Sequence, residues 1–424
     1  MLVYSICYAV SYGCSRAGWY YLSGGVLLAA AGYLYYYDYH RSGYLIHLRG
    51  VFSAFWVGGQ AMACLKLSNL QSDWELVTWV CFYLALAGFW LTYEFAGRFE
   101  GEARGRRRRR NTSFARPVFR CMQVLTLISL SAFLFEAVKL GYVPLFVRGV
   151  PHAYSEFHIT GVHYFTVSCV LVPPLAVLFF LEGGSRRTYR NAAAIAMTVT
   201  ALAIPLLCVS RFQLIFSVLV ACFTFGAYQK RLNPWILPAI LAALLPFYVI
   251  LTVARSHDIA YLNGIFEMKN SQLPIFISQP YIYIANNYEN FDCLVAALPE
   301  HTFGIRMLFP VWALTGLKFL FPHLISFPLY VTKTELTTVT LFYDAYYDFG
   351  IPGVVIFACI LGGAAYCLVK KTEDMKNPVG CLFYSQFAVY MMLSFFTTWF
   401  SNPTTWFYLA VTGAAAVYCQ IGRK

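Results

Sequence analysis

The chain has 424 residues and a formal net charge of +12, with 59% hydrophobic but only 12% charged residues. A soluble domain carries about 25% charged residues, so this composition excludes an ordinary soluble enzyme, a disordered chain and a disulfide scaffold. The whole of 1–424 reads as a single all-α transmembrane domain, a polytopic integral membrane protein.

Apolar runs of about 20 residues, long enough to cross a bilayer as helices, recur in chain order. They fall at 18–37, 46–66, 74–95, 119–140, 161–181, 190–208, 212–229, 234–253, 345–369, 380–400 and 404–421. These make eleven predicted spans. Residues 1–15 are short and broken by Ser and Gly, and supply either a twelfth span or a helix lying on the membrane surface. No basic segment precedes this apolar stretch, which argues against a cleaved signal peptide.

Basic residues gather in alternate connections. An arginine-rich loop at 96–118 carries Arg106 to Arg110, and further clusters are Arg186 with Arg187 and Arg190, Lys230 with Arg231, and Lys370 with Lys371 and Lys376. Arg41, Arg49 and the terminal Arg423 and Lys424 fall on the same side. The positive-inside rule places that side in the cytoplasm. The basic excess is therefore a topology signal, and no nucleic-acid partner is expected. The five-arginine run reads as an anchor for membrane lipid headgroups. Most of the thirteen cysteines sit inside predicted spans as small apolar fillers.

The cytoplasmic side has no Walker or Rossmann glycine pattern. No D-x-D, H-E-x-x-H, clustered Cys/His or G-x-S-x-G is present. No cofactor and no metal is expected. The outer side is richer. It holds a first long loop at 141–160 and a large loop or lid at 254–343, and loops of this length are usually binding elements.

Candidate chemistry concentrates there. Arg211 lies in the tight outer connection between two spans, Arg255 ends another, and Arg148 and Arg306 lie in the loops. Several arginines on one face suit a diphosphate, because the planar guanidinium grips oxyanions with two prongs. The alternative for Arg211 is snorkelling to headgroups. Asp344 and Asp348 share a helix face at i, i+4 spacing, and a carboxylate there is either a general base or a solvated cap. Glu156 and His158 are further base candidates. His158 and His163, five apart, do not share one helix face. Tyr281, Tyr283 and Tyr288 in the large loop, with Tyr343 and Tyr347 beyond it, are either stacking platforms for sugar rings or part of the interfacial aromatic belt.

Three patches carry a family resemblance: Val143-Pro-Leu-Phe146 leading into Phe157-His158-Ile-Thr-Gly161-Val-His163-Tyr164-Phe165; Ser210-Arg211; and Thr338 to Gly353, which includes Tyr343-Asp344-Ala-Tyr-Tyr347-Asp348-Phe-Gly350. With the overall hydropathy and one long outer loop late in the chain, the sequence resembles the Wzy-type oligosaccharide repeat-unit polymerases of O-antigen and capsule. It departs from the R-x10-G loop pattern of some members at Arg148, Arg255 and Arg306.

The resemblance implies a GT-C-like, metal-independent, inverting glycosyltransferase in the bacterial cytoplasmic membrane, its active site facing the exterior. Undecaprenyl-diphosphate-linked glycans would be its substrates, and a flippase and a chain-length regulator its partners. Arg211 and Arg255, with Arg148 or Arg306, would hold the diphosphate. Asp344, Glu156 or His158 would be the base. Tyr281, Tyr283, Tyr343 and Tyr347 would line the glycan path. An O-antigen ligase is the nearest alternative. A lipid-linked glycan transporter is the second, and the scarcity of mid-span charges and of internal repeats weighs against it.

Overall fold

The computed structural model describes residues 1–99, 114–147, 153–230, 232–233, 235–236, 259–374 and 376–422. Most of the predicted span 234–253, most of the arginine-rich connection, Arg148 and Arg255 lie outside the described residues.

Among the described residues the chain is all-helical and forms no strand. The principal helices are α1 (Leu2–Arg16), α2 (Tyr20–Ser42), α3 (Leu48–Cys64), α4 (Leu76–Phe99) and α5 (Ala115–Leu140). Then follow α6 (His163–Leu181, tightened to a 3-10 turn over Ser168–Leu171), α7 (Thr188–Leu207), α8 (Arg211–Gln229) and α9 (Ile259–Phe266). The chain ends with α10 (Ile275–Ala297), α11 (Tyr343–Asp374), α12 (Gly380–Met392) and α13 (Pro403–Ile421).

Six of these, α4 to α8 and α11, are long and apolar enough to cross a membrane. They carry large apolar side chains on their outsides, among them Leu91, Leu127, Val138, Val199 and Ile356. Such a surface belongs in lipid, so the chain is membrane-embedded. The predicted spans at 18–37, 46–66, 380–400 and 404–421 also fold as helices. However, α3 has 17 residues and α12 only 13, and among the described residues six helices meet the length and composition of a span. Residues 1–15 become α1, tied down by the Tyr8 hydroxyl donating to the Trp79 carbonyl at 2.7 Å and by Ser11 bonding Ser23 at 2.8 Å.

The helices approach closely through small residues, as expected where lipid offers no hydrophobic drive between them. A Cβ on Gly362 of α11 would collide with the Phe89 backbone of α4, and one on Gly24 of α2 would lie 2.7 Å from the Ala61 carbonyl oxygen of α3. Left-handed glycines close α2 (Gly43, φ 63°) and α5 (Gly141, φ 78°). Asn402 caps α13 by accepting from Thr404 N at 2.9 Å, with Pro403 at the first helical position.

The two ends of the bundle differ. At the basic end, Glu182 accepts from Phe114 N (3.0 Å) and from the Tyr228 hydroxyl (3.0 Å), joining the ends of α5, α6 and α8. Arg49, near the start of the predicted span 46–66, is buried in α3. Its Nε donates to both Asp38 oxygens at 2.9 and 3.1 Å, it pairs with Glu94, and its guanidinium lies 4.2 Å over the Trp90 ring.

At the opposite end, the stretch expected as the open loop 254–343 contains the 23-residue α10. The polar residues of α10 face protein. Glu289 accepts from Lys66 Nζ (3.1 Å), Trp74 Nε1 (2.7 Å) and Ser72 N (3.1 Å). Asn290 donates to the carbonyls of Leu336 (2.7 Å) and Thr338 (2.8 Å). Buried Glu289 and Asn290 thus have the partners that burial demands.

Candidate functional site

Two polar constellations occupy the loop-rich end. The first is built from the end of α5, the segment 153–163 and the α7–α8 connection. Glu136 sits on the last turns of α5 and is fully buried. It accepts from Ile159 N at 2.9 Å and from the Thr166 hydroxyl at 2.7 Å, and His163 Nδ1 lies 3.2 Å from both its oxygens. An ionised carboxylate is acceptor-only, so Nδ1 donates to Glu136 and Nε2 points away from it.

His163 in turn lines a cavity of about 320 Å³ with Tyr154, Ser155, His158, Ser210 and Gln213. His158 and His163 do not share a helix. His163 starts α6 and His158 lies on the turn before it, yet their rings stand 6.3 Å apart and face the same space. His158 Nδ1 is 3.2 Å from the Ser155 carbonyl.

The far wall is the start of α8. Three residues join α7 to α8, and the turn is tight enough to force buried Val209 to φ 54°. A β-branched residue is strained in that left-handed region. The strain sets Ser210 as the N-cap, with no side-chain cap bond of its own, and Arg211 as the first helical residue. Phe212 fixes the start of the helix by stacking on Phe396 (5.8 Å) and Trp399 (5.4 Å). The N-terminus of a 19-residue helix therefore opens beside the histidines, with its positive dipole end.

The second constellation centres on Asp348, which is fully buried in the first turns of α11. Asp348 accepts from Met307 N at 2.7 Å, from Arg306 N at 3.2 Å and from the Thr302 hydroxyl. Arg306 pairs with Asp344 and lies 4.6 Å over the Tyr347 ring and 5.4 Å over Tyr343. Burial works against the charge on Arg306, but Asp344 beside it holds the guanidinium pKa above its ordinary value. The Tyr343 hydroxyl accepts from Tyr330 N (2.9 Å) and donates to the Tyr330 carbonyl (3.0 Å). Gly350 breaks α11 at φ 63° and ψ −147°, and a Cβ there would press on His301 at 3.0 Å. This constellation pins the segment 301–307 to α11.

The predicted site residues therefore separate. His158 and Arg211 are brought to the cavity and to the helix start beside it. Glu156 is nearby but exposed. Asp344 and Arg306 pair with each other. Tyr281 is buried and held by Leu67 N (2.9 Å) and Gln71 (2.6 Å), while Tyr343 and Tyr347 are buried around Arg306. Only Tyr283 of that set keeps a partly exposed ring, edge-on to Phe396. The sequence points to these tyrosines as sugar-ring platforms. The folding of α10 and the pinning of 301–307 turn three of the four inward. The pairing of Glu136 with His163 is the feature the spacing of residues did not disclose. Its one signal was an acid placed inside an otherwise apolar helix end.

Comparison with protein-family models, with curated proteins and with solved structures finds no match to this chain.

Proposed function

We propose that the chain is a lipid-diphosphate-dependent glycosyltransferase that polymerises oligosaccharide repeat units at the outer face of the bacterial cytoplasmic membrane. The observation that carries this reading is the cavity in which a carboxylate-backed imidazole faces a helix N-terminus. His163, oriented by Glu136, takes the proton from an acceptor sugar hydroxyl at Nε2. The acceptor oxygen attacks C1 of the donor sugar, the bond from C1 to the diphosphate oxygen breaks, and configuration inverts. Charge develops on the departing lipid diphosphate, where Arg211 and the N–H groups opening α8 stabilise it. His158, on the same cavity, positions the acceptor. Strained Val209 holds the helix start in place for this work.

In this scheme Arg306, Asp344 and Asp348 hold the cover of the site and take no proton. Base candidacy thus moves from Asp344 and Glu156 to His163. Asp344 already spends its charge on Arg306, and Glu156 stands exposed to solvent.

The test is a gene deletion with the surface glycan resolved on a gel. Collapse of the ladder to a single repeat, restored by the wild type but not by His163→Gln or Arg211→Ala, supports the reading. A full-length polymer that accumulates on its lipid carrier instead identifies a ligase. An unchanged ladder refutes both.

A further inference from the structure

A second cavity, of about 480 Å³, is separate from the one the histidines line and lies between α5, α6 and α13. We propose that it holds one acyl chain of an anionic phospholipid, with the lipid phosphate on Arg120 and Arg116. This inference is independent of the glycosyltransferase reading.

The walls of the groove are apolar: Val124, Ile128, Leu171, Leu175, Phe407 and Val411. The Ser168 and Thr412 hydroxyls are spent on protein partners. Ser168 donates to the Phe165 carbonyl at 2.6 Å. Thr412 donates to the Tyr408 carbonyl at 2.8 Å and accepts from Gln386 Nε2 at 2.7 Å. Along α13 the lining runs from Phe407 to Tyr418, about 16 Å at 1.5 Å per residue. A slot of that length beside membrane-crossing helices matches a hydrocarbon chain.

The ends of the slot differ in chemistry. One is closed by the rings of Phe165 and Phe407, packed edge to face at 5.1 Å. The other opens at the basic end, where Arg120 lines the cavity and reaches the Tyr418 hydroxyl at 3.4 Å. Arg116 is one turn earlier on the same face of α5, and both arginines are exposed. Two guanidiniums at the mouth of an apolar slot complement a phosphate joined to an acyl chain. Basic pockets between membrane helices on the cytoplasmic side select acidic lipids in this way.

The test is native mass spectrometry of the full chain in detergent with added dioleoylphosphatidylglycerol or dioleoylphosphatidylcholine. At about fivefold per arginine, the wild type should retain one phosphatidylglycerol on the order of 25-fold better than phosphatidylcholine. Arg116→Gln with Arg120→Gln, both at exposed positions, should remove the preference. Ala415→Trp, which fills the slot, should lower retention of both lipids. Equal retention of the two lipids by the wild type overturns the proposal, as does unchanged retention in Ala415→Trp when the variant melts like the wild type. Displacement of phosphatidylglycerol by an equimolar polyprenyl phosphate would assign the slot to a carrier lipid and equally overturn it.

Discussion

The two polar constellations at the loop-rich end use similar residues to opposite effect. Around Asp348, acceptors are filled by backbone N–H groups, Arg306 is matched by Asp344, and aromatic rings cover the pair. Around Glu136, the carboxylate is equally satisfied, but the histidine it orients turns a ring edge to a cavity. Ionisable groups satisfied on every side hold structure. A satisfied group behind a half-satisfied one prepares chemistry, because the outer group keeps a lone pair for a ligand. The trio at the basic end, buried Arg49 and Asp38 with half-exposed Glu94, belongs with the first kind.

Substitutions that sharpen this contrast run from large effects to small. His163→Gln keeps a side chain that bonds Glu136 but removes the proposed base. Transfer should fall about 10²- to 10⁴-fold while the detergent-solubilised protein melts as the wild type does. Arg211→Ala should cost about 10²- to 10³-fold in polymer formation, as loss of a charge-stabilising donor does, again at normal membrane levels. Asp344→Ala should do the reverse. It leaves Arg306 without its counter-ion and should destabilise the protein by about 3 kcal/mol, read as a lower melting temperature. Tyr343→Phe deletes the clasp on Tyr330 and should cost about 1 kcal/mol per bond lost in the same melt. Glu156→Gln, at an exposed position, should stay within about 0.5 kcal/mol in stability and leave the glycan ladder intact. A Glu156 variant without polymer would move the base back to that residue and break the contrast.

Much of the helical layout was legible in the sequence, because apolar runs at span length are the strongest signal a membrane chain carries. Residues 119–140, 161–181, 190–208 and 212–229 fold close to where hydropathy puts them. What escaped was α10. Asn286, Asn287, Glu289, Asn290 and Asp292 make it read as solvated loop. Each of them is buried against protein, on Lys66, Trp74, Thr78, Thr338 and their neighbours, none of which is near in sequence. Local composition cannot reveal a polar face satisfied by distant partners. The same holds for the cavity. His158 and Arg211 stood out by type and place, but Glu136 joins His163 only when α5 and α6 pack together.

The central claim is that the Glu136–His163 pair is the reacting centre and the Arg306–Asp344–Asp348 knot is its frame. The most direct measurement is the surface-glycan ladder in cells carrying only His163→Gln, alongside the amount and melting temperature of the protein in their membranes. A single repeat unit in place of the ladder, with normal level and melting, is the predicted result. A full ladder from a normally folded His163→Gln protein would contradict it.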